Sequence, residues 1–181
     1  MKRLLFAVLS LAIVARPVVA QTMRETVVLV RHAEKAATPA DDPPLTTAGE
    51  ARARDLWAAM RDAGVSAVIT TQFARTRGTG QPTASALGLS LTIVPATGQT
   101  HVQDVVSEIR KHPGKTVLVV GHSNTVPAIV EALGAKRPSA ICDATYDDMF
   151  IVTIAVDGKA NAVRARYGVP SPRDSTCAAM R

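Results

Sequence analysis

The feature that most constrains the fold is an unbroken apolar run, Val27–Val30, which ends directly on Arg31 and His32. Because the run does not alternate between apolar and polar residues, it predicts a strand that is buried on both faces, as in a parallel sheet. A second apolar run, Thr116–Gly121, ends on His122. Two core strands therefore end in charged or ionisable side chains. A bound ligand would offset the free-energy cost of removing these side chains from water.

Strand-like and helix-like segments alternate along most of the chain, which predicts a mostly parallel sheet covered by helices on both faces. The predicted fold class is therefore α/β, a three-layer α/β/α sandwich. In such sheets ligands bind beyond the carboxyl ends of the strands, so His32 and His122 are expected to meet at one site. The predicted strands are 26–30, 66–71, 89–94 and 115–122, followed by an adjacent pair at 149–156 and 162–168.

Four helices are predicted from hydrophobic periodicity and from their end signals. In the first, Thr47 and Glu50 have the spacing of a capping box, and Gly64 is placed to end the helix. The second has Pro82 in its first turn. The predicted helices span 45–64, 81–88, 101–114 and 125–134.

The first twenty residues have the pattern of a secretory signal peptide: two basic residues, an apolar run, and small residues before Gln21. The apolar run Leu4–Ala15 is short for a membrane span, and Arg16-Pro17 interrupts it. We therefore expect a periplasmic or secreted protein that is free of the membrane after cleavage. Residues 1–20 are then the signal peptide, 21–181 one domain, about 26–167 its core and 168–181 its tail.

Charge, composition and motif spacing argue against nucleic acid and against a metal ion as partners. Removing Lys2, Arg3 and Arg16 with the signal peptide lowers the formal net charge from +6 to +3, and the remaining cations form no basic cluster for nucleic acid. Aromatic residues make up only 3% of the chain, which argues against stacking on single strands. The four histidines lack the His-x-x-x-His or His-Glu-x-x-His spacing of a zinc site, so no metal is predicted.

Two cysteines, Cys142 and Cys177, lie beyond the signal peptide. In an oxidising compartment they can form a disulfide that ties down the C-terminal tail. The alternative is two free thiols, because the sequence does not supply the distance that a disulfide requires.

A phosphate site accounts for the polar residues at the strand ends. Arg75 follows the second predicted strand, as Arg31 and His32 follow the first and His122 the fourth. Two guanidinium groups and two imidazoles at one sheet edge suit a dianionic phosphate, because a guanidinium fork matches phosphate oxygens bidentately. Two arginines in the same pocket would also repel a divalent cation.

These residues lie in motifs that resemble those of the histidine phosphatase superfamily, which has a phosphoglycerate-mutase-like fold. LVRHAEK is similar to the Arg-His signature of the family, and LTTAGEARA to its Leu-Thr-x-x-Gly segment. ARTRGT resembles the segment of its second phosphate arginine, and VVGHSNTVP that of its second histidine. The resemblance extends from about Thr26 to Tyr167 and is to small exported bacterial members of branch 1.

The resemblance implies that His32 attacks phosphorus and becomes a phosphohistidine, while Arg31, Arg75 and His122 hold the phosphate oxygens. A nucleophilic imidazole must be neutral, which the pKa of histidine allows near neutral pH. Flanking arginines supply the charge stabilisation that phosphoryl transfer needs without a metal or another cofactor. The implied activity is a metal-independent phosphatase that acts on a small phosphomonoester or on phosphohistidine.

The general acid of the family has no direct counterpart in this sequence. Many branch 1 relatives carry a glutamate after the second arginine, but residues 76–100 contain no Asp or Glu. Branch 2 relatives use an aspartate directly after the second histidine, where this chain has Ser123. A phosphatase of good leaving groups, such as phosphohistidine or an acyl phosphate, depends less on an acid. The candidate acid nearest to the nucleophile in sequence is Glu34, and the remoter candidates are Asp104, Asp147 and Asp148.

Other polar residues near these motifs are assigned structural or solvent-facing roles. His101 and His112 are predicted to be surface residues, in a loop and at a helix end, and Lys35 is expected to face solvent. Asn124 and Thr125 are expected to cap the helix after the second histidine.

Three other functions stay open on the sequence alone. A non-catalytic phosphate-binding sensor would keep the phosphate site and lack the acid. A phosphoglycerate-type mutase fits less well, because its substrate is cytoplasmic and the short chain leaves little insertion to close over a bisphosphate. An envelope protein that keeps only the fold is the weakest alternative. The natural substrate and the oligomeric state cannot be predicted.

Overall fold

The computed structural model describes residues 25–172. The predicted signal peptide and Cys177 lie outside this range, and within it none of the helices has the combined length and hydropathy of a membrane span. The strands are β1 (Glu25–Arg31), β2 (Val65–Thr70), β3 (Leu91–Ile93), β4 (Thr116–Gly121), β5 (Asp148–Ile154) and β6 (Ala160–Arg166). The helices are α1 (Thr47–Met60), α2 (Ala74–Ala86), α3 (His101–Ile109) and α4 (Thr125–Ala132).

The six strands form one sheet in the order β3-β2-β4-β1-β5-β6. β1 pairs in parallel with β4, with Val28 opposite Leu118, and β2 pairs in parallel with β4 and β3. β5 and β6 add an antiparallel pair beside β1. The predicted α/β class with a mostly parallel sheet is therefore confirmed.

A hydrophobic core on each face of the sheet explains why the apolar run of β1 does not alternate. On one face Leu29 belongs to a cluster that includes Val105 of α3 and Ile129 of α4. On the other face Val28 belongs to a cluster that includes Leu56 of α1. Burying a side chain of this size contributes about 1.5–3 kcal/mol. Because helices cover both faces, the predicted three-layer α/β/α sandwich is confirmed.

The start of α1 differs by one residue from the predicted capping box. Thr46, not Thr47, is the N-cap residue, and its side-chain oxygen accepts a hydrogen bond of 3.1 Å from the backbone N–H of Gly49. A side chain at position 49 would overlap the backbone carbonyl oxygen of Glu34, so the helix start packs directly on the segment after β1. The helix ends before Gly64, which lies in the following turn with a φ of +65°.

The start of α2 was predicted wrongly. The helix begins at Ala74, and Pro82 lies inside it rather than in its first turn. The N-cap residue, Phe73, makes no side-chain cap, and the carboxylate of Asp42 accepts a hydrogen bond of 2.7 Å from the backbone N–H of Ala74 instead. The capping residue belongs to the loop after β1, so the residues just before Ala74 include no capping side chain from which the helix start could be predicted.

Candidate active site

The carboxyl ends of β1, β2 and β4 lie at one edge of the sheet, beside a cavity of about 430 Å³. The four residues predicted to form a phosphate site all line this cavity: Arg31, His32, Arg75 and His122. The ring centroids of the two histidines are 5.5 Å apart. Parallel strand order therefore gathers two guanidinium groups and two imidazoles around one space.

His32 directly follows β1, and its backbone fixes the position of its ring proton. Nδ1 lies 2.8 Å from the carbonyl oxygen of Ala33. Because a carbonyl oxygen can only accept, Nδ1 carries the proton and Nε2 keeps a lone pair. Burial lowers the pKa of His32 to about 3, and the nearby Arg31 adds to this effect. The imidazole is therefore neutral near pH 7, as a nucleophile must be.

His122 directly follows β4 and contacts a pair of buried threonines. Its Nε2 lies 3.2 Å from Oγ1 of Thr71, which lies 2.8 Å from Oγ1 of Thr76. The backbone N–H of His122 donates to the hydroxyl of Thr125 at 3.1 Å, so this threonine does orient the strand end. Asn124 occupies the N-cap position of α4 but makes no side-chain cap. Burial and the charge of Arg75 lower the pKa of His122 to about 4.

The guanidinium of Arg31 is anchored by the loop that precedes β5. Its Nη1 donates to the carbonyl oxygens of Cys142, Asp143 and Thr145, at 2.9, 2.7 and 3.2 Å. The ring of Tyr146 lies 4.4 Å from the guanidinium carbon, a cation–π distance. Cys142 is disulfide-bonded. One edge of the guanidinium is therefore fixed to the protein, and other donors remain for an anion in the cavity.

Arg75 lies in the first turn of α2, close to the Asp42 cap. Its guanidinium carbon lies 4.2 Å from the ring centroid of Phe73. The hydroxyl of Thr79 donates to the carbonyl oxygen of Arg75 at 2.8 Å and accepts from the backbone N–H of Ala33 at 2.9 Å. This buried threonine joins the first turn of α2 to the residue that follows His32 in the chain.

Both site arginines have unused donors. Within the described part of the chain, the buried Nε of Arg31 and that of Arg75 have no hydrogen-bond partner. Burial lowers the pKa of both guanidinium groups, but the ordinary value is so high that both stay charged. Buried, unpartnered cationic donors are costly unless an anion occupies the space beside them.

The structure does not bring any of the predicted acids to the cavity wall. The carboxylate of Glu34 binds the guanidinium of Arg52, with contacts of 2.8 to 3.0 Å. Asp147 and Asp148 are buried and form ion pairs of 2.7 and 2.6 Å with arginines of β6, and Asp104 is exposed on α3. No carboxylate is among the described residues that line the cavity.

Two residues predicted to lie at the surface line the cavity. Lys35 is exposed, as predicted, and lies on the cavity wall. His101 also lies on the wall but is only 5% exposed. The surface position predicted for His101 was wrong: the residue is the first of α3, where the predicted helix 101–114 also begins, and it is buried. A sequence signal exists, since His101, Val105 and Ile109 have the i, i+4, i+8 spacing of one buried helix face. His112 follows α3 and does not line the cavity.

Comparison with known families finds a match to part of the chain. Residues 27–105, which include three of the four phosphate-site residues, match the model of the histidine phosphatase superfamily, branch 1. Over these residues the chain is similar to that superfamily. No curated protein matches this chain.

Solved structures with the same fold include phosphatases. A Nakamurella multipartitia protein assigned as the phosphohistidine phosphatase SixA is 27% identical, with 81% of this chain and 96% of that chain covered and a TM-score of 0.55. A protein histidine phosphatase SixA complexed with tungstate is 21% identical, with 78% and 96% covered and a TM-score of 0.63. The alpha-ribazole phosphatase of Shigella flexneri is 15% identical, with 81% and 96% covered and a TM-score of 0.59. The branch 1 fold and these neighbours support a phosphatase.

Proposed function

We propose that this protein is a member of the histidine phosphatase superfamily and hydrolyses a phosphomonoester or phosphohistidine, without a metal, through a phosphohistidine intermediate on His32. The observation that carries the proposal is the fixed tautomer of His32 in a cavity lined by two arginines. Nε2 of His32 holds a lone pair because Nδ1 donates to the carbonyl oxygen of Ala33. Arg31 and Arg75 line the same cavity and neutralise a phosphate that would otherwise repel a nucleophile.

The first half of the reaction transfers the phosphoryl group to His32. Nε2 forms a bond to phosphorus while the bond from phosphorus to the leaving group breaks. Nδ1 keeps its proton throughout, so the phosphorylated ring is cationic and becomes a good leaving group for the second half. Arg31, Arg75 and His122 stabilise the charge on the three non-bridging oxygens.

The substrate class follows from what lines the cavity. Without a carboxylate on the described wall, an alkoxide leaving group has no acid nearby to protonate it. Phosphohistidine and acyl or aryl phosphates have leaving groups that need less protonation. The neighbour assigned as phosphohistidine phosphatase SixA supports phosphohistidine as a substrate.

The first experiment measures hydrolysis of para-nitrophenyl phosphate in the presence of a chelator. We expect turnover by the wild type, a fall of at least about 10³-fold in His32→Ala, and no change in His112→Ala, which alters a histidine outside the cavity wall. Since para-nitrophenol leaves without protonation, an inactive wild type would count against His32 as the nucleophile and not merely against an acid.

A non-catalytic phosphate sensor is the second candidate, favoured by the same lack of a carboxylate on the described cavity wall. Release of para-nitrophenol distinguishes the two functions. A sensor binds inorganic phosphate or vanadate in the wild type and releases no para-nitrophenol, whereas a phosphatase is inhibited by vanadate and turns over.

We also infer that the protein acts outside the cytoplasm. The sequence pattern of residues 1–20 supports export, and so does the disulfide bond at Cys142, because disulfides persist in oxidising compartments. Fractionation of cells that express the full chain, with N-terminal sequencing of the product, tests this inference. Cytoplasmic protein that starts at Met1 would contradict it.

A further inference from the structure

The second half of the reaction needs a group that the predicted residues do not supply. Hydrolysis of phosphohistidine consumes a water molecule, whose proton must be accepted as its oxygen bonds to phosphorus. Carboxylates commonly accept such a proton, but none is among the described residues of the cavity wall. Arg31, Arg75 and Lys35 cannot serve as bases while they are charged.

Of the three imidazoles on the wall, His32 and His122 already have roles in the proposed function, so His101 is the ionisable residue left for this step. Its Nδ1 lies 3.0 Å from the carbonyl oxygen of Pro95, which can only accept, so Nδ1 carries the proton and Nε2 keeps a lone pair. A backbone carbonyl fixes His32 in the same tautomer. The cavity is therefore lined by two imidazoles whose Nε2 atoms are acceptors.

Nε2 of His101 has no hydrogen-bond partner within residues 25–172, although it is buried. Leaving a buried acceptor unpaired is unfavourable. Burial also lowers the pKa of His101, which keeps the ring neutral and able to accept a proton. The exposed loop before α3 contributes Gly98 to the same cavity wall.

We propose that His101 is the general base of the second half-reaction. Nε2 of His101 accepts a proton from water while the water oxygen bonds to phosphorus. The bond from phosphorus to Nε2 of His32 breaks, and its electron pair returns to that nitrogen. Phosphate leaves, and the imidazolium of His101 loses its proton to solvent. This step rests on the proposed phosphohistidine intermediate and adds the residue that promotes its hydrolysis.

The test separates the two half-reactions in a rapid-mixing experiment with para-nitrophenyl phosphate. The variant is His101→Asn, because an asparagine amide can keep the hydrogen bond to Pro95 while the acceptor at Nε2 is lost. We expect a burst of para-nitrophenol close to one equivalent at an unchanged rate, followed by turnover about 10²-fold slower than in the wild type. Phosphohistidine on His32 should accumulate, and inhibition by inorganic phosphate should be unchanged.

Each negative result has its own meaning. If the wild type neither turns over nor forms phosphohistidine, the proposed function fails and the role of His101 fails with it. If the wild type is active but His101→Asn turns over at the wild-type rate, only the role of His101 is overturned. A burst rate that falls in parallel with turnover, without accumulated phosphohistidine, would mean that His101 supports the shape of the cavity. His112→Gln serves as the matched control for loss of a histidine outside the wall.

Discussion

At this site several side chains from distant parts of the sequence are held in the same way, by a hydrogen bond to a backbone carbonyl oxygen. The carbonyl of Ala33 sets the tautomer of His32, and that of Pro95 sets the tautomer of His101. Carbonyls of the loop before β5 hold one nitrogen of Arg31. Because backbone groups move less than side chains do, the donors and acceptors are positioned before substrate arrives.

Glu34 illustrates how one contact changes the interpretation of a residue. Its distance of two residues from His32 made it the candidate acid, but Arg52 binds its carboxylate and also donates to the carbonyl oxygen of Val169 at 2.9 Å. Arg52 is only 5% exposed, so this ion pair is a structural link between the segment after β1, α1 and the end of the described chain.

Replacement of Glu34 by Gln is therefore expected to affect stability rather than chemistry. Loss of the charged hydrogen bonds to Arg52 should lower the free energy of unfolding by about 1–3 kcal/mol, measured by urea denaturation. The rate ratio for phenyl against para-nitrophenyl phosphate should stay within about twofold of the wild type, whereas loss of a general acid lowers the rate about 10²-fold or more for the poorer leaving group. Glu50→Gln, at an exposed position of α1, is the control.

The meeting of Arg31, His32, Arg75 and His122 at one cavity could be predicted because each lies at or after a strand end, and the order of parallel strands brings such ends together. His101 was missed because it was treated as a surface residue, although the predicted helix 101–114 begins with it. The identity of the acid could not be derived at all. Ion pairs such as Glu34 with Arg52 join residues from different elements. Their pairing depends on tertiary packing, which no local pattern in the sequence encodes.

At the scale of elements, the strands and α3 are predictable, whereas the helix starts next to the site are less so. β1 and β4 carry their signal in their own residues, as unbroken apolar runs. α2 instead depends on Asp42, a residue of another segment, for its N-terminal cap. Arg75 lies in the first turn that this cap stabilises, so a helix boundary and a site residue depend on the same carboxylate.

Replacement of Asp42 by Ala should therefore weaken phosphate binding, although Asp42 does not line the cavity. Loss of an N-cap acceptor costs about 1 kcal/mol, and fraying of the first turn would raise the inhibition constant of inorganic phosphate by up to about fivefold. Asp42→Asn keeps an acceptor for the N–H of Ala74 and should restore much of the affinity. Asp41→Ala, at the exposed neighbouring position, is the control. Equal affinities in wild type and Asp42→Ala would show that Arg75 is positioned without the cap.

For the whole molecule, the site places neutral imidazoles where the sheet edge meets the core. The pKa of His32 is lowered to about 3 and that of His122 to about 4, mainly by burial. In the unfolded chain both titrate near pH 6.5. Below that pH the unfolded chain binds protons that the folded protein does not bind, so the free energy of unfolding must fall as the solution is acidified.

This linkage predicts acid sensitivity in a window that begins near pH 6.5 and ends near pH 4 for His122 and near pH 3 for His32. The part of the window above about pH 5 lies above the range in which most carboxylates titrate. Between pH 7.5 and pH 5.2 the two histidines together should lower the free energy of unfolding by about 3–3.5 kcal/mol, measured by urea denaturation at each pH. The double variant His32→Gln, His122→Gln should lose most of this difference, whereas His112→Gln should retain it. If the free energy of unfolding of the double variant kept the full pH dependence, the groups that titrate would be residues other than His32 and His122. It would also remove the physical basis for a neutral nucleophile, because His32 would then not resist protonation in the folded protein.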